Sequence, residues 1–266
     1  NWSSKRLHDD DFDEVLRRAK ENGVEKIIIS GTNLGQIERA IALCREHPGV
    51  LYCTVGVHPS QSFEFGEPLV RGAGLEEPVT VAKPPRNLPN DHPLDAAAVD
   101  ERIEYLVALI EEHRDVVLAV GEVGLDYAEL AYTPKPLQHA MFERQFELAE
   151  RTKLPLFLHS RDCGMDFVEV LRRNRHRFSK GVVHSFNGSR EELEALLEMG
   201  VSIGLNMSAF RTRETAELCL GQVPKEHLML ETDAPWCDAR KDNHGFPFIK
   251  TKFPTRKKDK FIRGQC

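Results

Sequence analysis

The feature that most constrains the fold is a regular alternation of amphipathic segments and short apolar runs along the chain. The amphipathic segments predict helices at 9–22, 35–47, 99–112, 136–152, 164–175, 189–199 and 212–220. The apolar runs predict strands at 26–30, 51–56, 116–122, 155–159, 181–184, 201–205 and 228–232. Strands that alternate with helices usually form a parallel sheet, so the pattern predicts an α/β fold.

The number of strands and the order of elements favour one parallel architecture. The chain opens on a helix, where a barrel would open on a strand, and it ends in polar and basic residues. No glycine-rich dinucleotide or Walker motif follows the first predicted strand. We therefore predict a single TIM (β/α)8 barrel domain over 1–266, lacking its first strand within this sequence, with or without its last helix.

Residues 64–98 interrupt the alternation. They contain six of the fifteen prolines and show almost no hydrophobic periodicity. Structureless connections of this length are uncommon inside a compact domain. Because the alternation resumes unchanged afterwards, we predict a dispensable surface insertion and not a linker between domains.

Composition narrows the class of protein. No stretch reaches the apolar length of a membrane helix, and no secretory signal is visible. The six cysteines form no CxxC pair, and Cys44, Cys53 and Cys219 lie in apolar runs, which predicts buried reduced thiols. We expect an intracellular protein, in the cytoplasm or the nucleus, that does not contact a membrane.

Charge is unevenly distributed. The net charge is −6, but residues 250–263 hold seven Lys or Arg and one Asp, so this segment carries +6 and the remainder about −12. A basic segment beside an acidic body could bind a phosphate polymer, with Lys257 and Lys258 among the contacts. The alternative interpretation is a solvated terminal tail.

Four predicted strands end in residues that can bind metal, namely Glu122, His159, His184 and Asp233. In a barrel the carboxyl ends of the strands converge on one face, where active sites lie. Histidine and carboxylate ligands suit Zn²⁺, Mn²⁺ or Mg²⁺, so we predict one or two divalent ions. His58, just after another strand, is a fifth candidate.

Each of these residues also has a structural interpretation. A single histidine at a strand end is often hydrogen-bonded for structural reasons. A single carboxylate there can cap the next helix, and Arg161 could simply pair with Asp162. The metal hypothesis therefore depends on the repetition at four equivalent positions.

Several segments resemble the TatD family of metal-dependent hydrolases, which are deoxyribonucleases. They are GEVGLDY, LPLFLHSRD, GVVHSFNGS and ETDAPWCD, and they occur in this order at the predicted strand ends. The segment 248–254 and the opening at 12–29 look most like the eukaryotic branch of the family. The resemblance covers nearly the whole chain except 64–98 and implies a TIM barrel.

The resemblance also implies roles for individual residues. Glu122 matches the bridging metal ligand, His159 and His184 match ligands of one ion, and Asp233 matches the acidic ligand that orients the attacking water. His58 matches a pocket histidine for phosphate or substrate, and Arg161 could neutralise phosphate. The implied activity is hydrolysis of DNA phosphodiesters, at 3′ ends or in single strands, with Glu122 and Asp233 as catalytic residues and no obligatory protein partner.

One departure from the family pattern leaves alternatives open. The opening His-x-His of bacterial relatives and the Asn-Leu-Thr-Asp of the eukaryotic branch are both absent from this sequence. A metal-binding scaffold with impaired catalysis, or an amidohydrolase-type enzyme acting on a small amide or ester, would use the same four residues.

Overall fold

A computed structural model describes residues 11–67, 69, 87–90, 92 and 94–251 of the 266-residue chain. Its helices are α1 Phe12–Glu21, α2 Leu34–Glu46, α3 Ala96–Glu112, α4 Lys135–Thr152, α5 Met165–Asn174, α6 Arg190–Glu198 and α7 Arg213–Gln222. Its strands are β1 Ile27–Ile29, β2 Leu51–Val55, β3 Val117–Asp126, β4 Leu156–Arg161, β5 Gly181–Val183, β6 Ser202–Leu205 and β7 Leu228–Leu230. Short 3₁₀ helices occupy several of the connections.

The strands form one parallel sheet in which spatial neighbours follow chain order from β1 to β7. A helix separates each strand from the next, so every connection returns to the same edge of the sheet. This is the strand order of a TIM barrel, and it confirms the predicted fold class. Within the described residues the barrel has seven strands, as predicted.

Helices pack over the sheet through large apolar side chains. Phe142 and Phe146 on α4 are fully buried, with ring centroids 4.9 Å apart, and Phe142 stacks on Phe167 of α5 at 5.7 Å. Such contacts bring about 0.5–1.5 kcal/mol per aromatic pair beyond the burial of area. These ring contacts join α4 to α5, the helices that precede and follow β4 in the chain.

The segment predicted to begin a dispensable insertion at 64 is structured at its start. Residues Pro59–Gly66 form a 3₁₀ helix, and Phe65 within it is completely buried. Leu69, Leu88 and Leu94 also pack against the core, and α3 begins at Ala96. Hydrophobic contact therefore extends the core into both ends of the predicted 64–98 insertion; its other residues lie largely outside the described part of the chain.

Replacing Phe65 with Ala is expected to destabilise the protein by about 3–5 kcal/mol, because it leaves a cavity among fully packed side chains. Urea unfolding followed by circular dichroism measures the change. The matched control is Leu220→Ala, since Leu220 is 71% exposed and its loss leaves no cavity. Equal midpoints for the two variants would show that Phe65 does not support the core.

Two predictions from composition, that three cysteines are buried thiols and that no helix spans a membrane, can be compared with the structure. Cys44, Cys53 and Cys219 are buried free thiols, as predicted, and burial raises the pKa of Cys219 to about 11. Within the described part of the chain, no helix combines the length and apolar character needed to span a membrane.

Candidate metal centre

The register of β3, β4 and β5 determines which side chains of the site lie next to each other. Gly124 of β3 is paired with His159 of β4, and the amide of His184, just past β5, donates to the carbonyl of Leu158 at 3.0 Å. A side chain at Gly124 would place its Cβ 1.9 Å from the carbonyl oxygen of His159, so only glycine permits this approach. The alignment places the two histidines on neighbouring strand ends.

Three of the four predicted ligands meet at one point. Glu122 Oε1 lies 2.6 Å from His159 Nδ1 and 2.5 Å from His184 Nε2, and these two nitrogens are 3.0 Å apart. Glu122 and His184 are buried, while His159 is partly buried. The structure thus brings together Glu122 inside β3, His159 in the second half of β4 and His184 just after β5.

A fourth group, Asp126, contacts the same histidine from the other side. Its Oδ2 atom lies 3.1 Å from His159 Nε2, and the residue is 1% exposed. The sequence pattern predicted that β3 ends at residue 122, but the strand continues to Asp126. An ionised carboxylate can only accept, and each ring nitrogen of His159 faces one, so both nitrogens donate when no cation is bound. A cation at Nδ1 would replace the proton there and leave the other proton on Nε2, facing Asp126.

The charges of these groups depend on each other. Burial alone would raise the pKa of Glu122, but His184 and His159 outweigh it and hold this pKa well below its usual range. Burial would lower the pKa of His159, but the hydrogen bonds to Asp126 and Glu122 dominate and raise it to about 9. Glu122 is therefore negatively charged in this site. The positive charge that balances it can come from a proton on His159 Nδ1 or from a bound cation.

This set of donors suits a divalent ion. Glu122 offers an anionic oxygen, while His159 Nδ1 and His184 Nε2 offer nitrogens that face the same point. Two imidazoles and a carboxylate form a known catalytic zinc ligand set, which leaves further positions for water or substrate. The contact from Asp126 is of the kind that fixes the orientation of a metal-binding histidine.

His58 borders the centre but presents a different atom. Its Nδ1 accepts from the amide of Ser60 at 3.1 Å, and its Nε2 lies 3.8 Å from Glu122 Oε1. Burial, with the charge of His159, lowers the pKa of His58 to about 4, so the ring is neutral near pH 7. With Nδ1 already accepting, Nε2 carries the hydrogen. The contact of His58 to phosphate or substrate stays a prediction, and Nε2 is the atom that would donate in it.

Similarity to known proteins extends along most of the chain. A family model described as TatD related DNase matches residues 3–258. The protein belongs to the TatD-related DNase family. The resemblance seen in the four strand-end segments is confirmed, including its breadth along the chain.

Two relatives illustrate the similarity to the TatD family. "Deoxyribonuclease Tat-D" of Schizosaccharomyces pombe is 37% identical over 266 residues, which cover 99% of this chain and 77% of that protein. "3′-5′ ssDNA/RNA exonuclease TatD" of Rahnella sp. is 34% identical over 230 residues, covering 86% of this chain and 74% of the relative. The first match extends over nearly the whole chain and so includes the segments that hold Glu122, His159 and His184.

Solved structures support the TatD fold. A TatD-family hydrolase from Entamoeba histolytica has a TM-score of 0.79 at 29% identity, covering 99% of this chain and 78% of the other. A protein described as an uncharacterized amidohydrolase from Saccharomyces cerevisiae has a TM-score of 0.78 at 25% identity, covering 99% and 85%. The barrel architecture is therefore shared with TatD-family structures.

Arg161, also predicted to contact the substrate of this TatD protein, lies near the centre, and among the described residues no group is within hydrogen-bond distance of its guanidinium. Its guanidinium is 3.9 Å from Asp126 Oδ2 and 3.8 Å from Glu129 Oε1, and about half of the side chain is exposed. These distances exceed hydrogen-bond length. The side chain faces acidic groups other than Asp162, and it keeps donors available for an anion.

Asp233 is not brought into the cluster. It lies three residues after β7 with a φ of 55°, and its carboxylate accepts from the thiol of Cys237 at 3.3 Å. Within the described residues, the groups of side chains able to share an ion are Glu122/His159/His184 and His58/Asp126/His159. The assignment of Asp233 as a ligand of the TatD centre stays a prediction.

Glu231, two residues before Asp233, is the carboxylate that approaches His184. Its Oε1 atom lies 3.8 Å from His184 Nδ1, accepts from the amide of Ser185, and receives a hydrogen bond from Asn206 at 3.2 Å. The sequence pattern placed Glu231 inside the last strand and gave it no role. The signal available in the sequence was the position of Glu231, a carboxylate two residues before the candidate ligand Asp233 at the end of the last predicted strand.

Proposed function

We propose that this TatD-family protein is a divalent-metal-dependent deoxyribonuclease that removes nucleotides from the 3′ end of single-stranded DNA. The observation that carries the proposal is the convergence of Glu122 Oε1, His159 Nδ1 and His184 Nε2, all within 3.0 Å of one another. The names of the relatives from S. pombe and Rahnella support the class of substrate and the direction of cleavage.

The chain supplies several groups for this reaction. Glu122, His159 and His184 would hold the ion, and Asp126 would orient His159. A divalent ion in such a site polarises a phosphodiester and lowers the pKa of a bound water. His58 Nε2–H would donate to a phosphate oxygen, and Arg161 would neutralise phosphate charge at the exposed side of the centre.

Direction and metal can be tested together. Protein treated with a chelator would be given Mg²⁺, Mn²⁺ or Zn²⁺ and incubated with single-stranded DNA labelled at either end. A 3′ label should appear at once as mononucleotide, whereas a 5′ label should shorten through a ladder. Immediate release of the 5′ label, or activity that survives chelation, would contradict the proposal.

An amidohydrolase-type activity is the second candidate. The similarity to the S. cerevisiae structure described as an amidohydrolase favours it, as does a ligand set that also suits amide hydrolysis. Such an enzyme should hydrolyse small amides or esters at rates independent of ionic strength. Turnover of DNA with a strong dependence on salt separates the two candidates.

The basic segment 250–263, with Lys257 and Lys258, lies almost entirely outside the described residues and remains a predicted DNA contact. Changing Lys257, Lys258 and Lys260 to Ala should reduce the dependence of KM on salt for long single strands. Each lost phosphate contact lowers the log–log slope by about 0.7. Lys241→Ala is the matched control, because Lys241 is exposed and precedes the basic segment. An unchanged slope would identify the segment as a solvated tail.

A further inference from the structure

A small cavity lies beside the metal centre, in a place that the reaction described above does not use. Its volume is about 240 Å³, and it is bounded by the loop after β4 and the loop after β5. Ser160 and Asp162 line it from the end of β4 and the first loop, Phe186 and Asn187 from the second loop, and Glu192 from the first turn of α6. The two loops leave the strand ends that carry His159 and His184, so the cavity borders the centre.

The polar groups of the cavity differ in how fully they are engaged. Glu192 accepts from the amide of Ser189 at 2.8 Å, as part of a capping box at the start of α6. Asp162 and Asn187 are exposed, and their side chains form no hydrogen bond within the described part of the chain. The cavity therefore presents one free carboxylate and one free amide, next to the buried ring of Phe186.

This combination suits a nucleobase better than a phosphate. Carboxylates accept hydrogen bonds from the exocyclic amino groups of bases, and an amide can both donate and accept. The negative charges of Asp162 and Glu192 repel phosphate. The volume of about 240 Å³ lies below the ~300–1,000 Å³ of drug-sized sites and suits a ligand of the size of a single base.

We infer that this cavity is a subsite for the terminal nucleobase of the substrate, and that Asp162 and Asn187 favour bases with an exocyclic amino group. Adenine, cytosine and guanine have such a group, and thymine does not. The inference rests on the proposed function, because a phosphodiester held at Glu122, His159 and His184 would bring the adjoining base to the cavity.

Oligonucleotides that differ only in the 3′-terminal nucleotide test the inference. The parent protein should have a kcat/KM about 5- to 100-fold higher for dA, dC or dG ends than for dT ends, the range expected for one well-formed base contact. Asp162→Ala combined with Asn187→Ala should lower kcat/KM selectively for the amino-bearing ends. The control Glu191→Ala changes an exposed residue of α6 that does not line the cavity, and should keep the preference.

Equal kcat/KM for all four ends, or a preference retained by the double variant, would overturn the subsite while the nuclease function stands. If no DNA is hydrolysed with any metal, the proposed function fails, and calorimetric titration with dAMP and dTMP still tests the cavity. Tighter binding of dAMP that is lost in the double variant supports the subsite. Equal affinity for the two nucleotides rejects it.

Discussion

Glu122→Gln is expected to reduce DNA hydrolysis by at least about 100-fold, because changes in groups that merely support a metal ligand already cost 10–100-fold. The amide keeps the shape of the side chain but loses the negative charge that faces His159 and His184. Single-turnover cleavage of 3′-labelled DNA measures the loss at saturating metal.

The same variant should remain folded. The groups in contact with Glu122 are the imidazoles of His159 and His184, so the change relieves no repulsion from a second carboxylate. Losing charge-assisted hydrogen bonds to them should cost about 1–3 kcal/mol, a fraction of the ~5–15 kcal/mol that stabilises a typical domain. The control Glu129→Gln removes a partly exposed carboxylate near Arg161 and should keep full turnover. Wild-type rates for Glu122→Gln would rule out Glu122 as a ligand.

Asp126→Ala is expected to weaken metal binding by about 10–100-fold, because it removes the carboxylate that accepts from His159 Nε2. Without that contact the ring can rotate or shift its proton to Nδ1, the atom that faces Glu122. Competition with a chromophoric chelator measures the affinity directly, independently of turnover.

Asp126→Asn separates orientation from charge. In the parent protein the backbone amide of Ala128 donates to Asp126 Oδ1 at 3.0 Å. The single side-chain oxygen of the Asn variant can still accept either from His159 Nε2 or from this backbone amide. We therefore expect an affinity between those of the parent and Asp126→Ala. Equal metal affinity for all three proteins would show that Asp126 is only a local turn-forming residue.

The architecture was predictable because its signals are local. Helical periodicity and apolar runs each extend over a few residues, and chain order equals spatial order in this sheet. Predicted and observed elements agree to within a few residues, and the largest difference on the strands is at β3, which was predicted to end at 122 and ends at Asp126. There the register with β4 shifts between Val120 and Val123, a property of the pair of strands that the sequence of β3 alone does not reveal.

The site was predictable only in part, for a related reason. Glu122, His159 and His184 were predictable because they lie in or just after neighbouring parallel strands, on the side toward which those strands run. Asp126 and Glu231 were not predicted as members of the site. Asp126 belongs to it because it contacts His159 Nε2, and Glu231 because it approaches His184 Nδ1. Which side chain reaches a given nitrogen depends on the conformation of the chain after the strand end, and such conformations leave little trace in residue spacing.

The irregular composition of 64–98 also concealed structure. Proline and the lack of periodicity are typical of loops, yet a 3₁₀ helix has 3.0 residues per turn and so shows neither the period of a strand nor that of an α-helix. Phe65 is an apolar residue beside Glu64 and Gly66, and only the surrounding core explains its burial. Local composition therefore predicted the connection but not its anchoring end.

The central claim is that Glu122, His159 and His184 hold a divalent ion. Crystals of the protein grown with Zn²⁺ or Mn²⁺ and measured at the absorption edge of the metal test it most directly. We predict an anomalous peak about 2.0–2.2 Å from Glu122 Oε1, His159 Nδ1 and His184 Nε2. A fully occupied ion bound elsewhere, with none of these three atoms among its ligands, would contradict it.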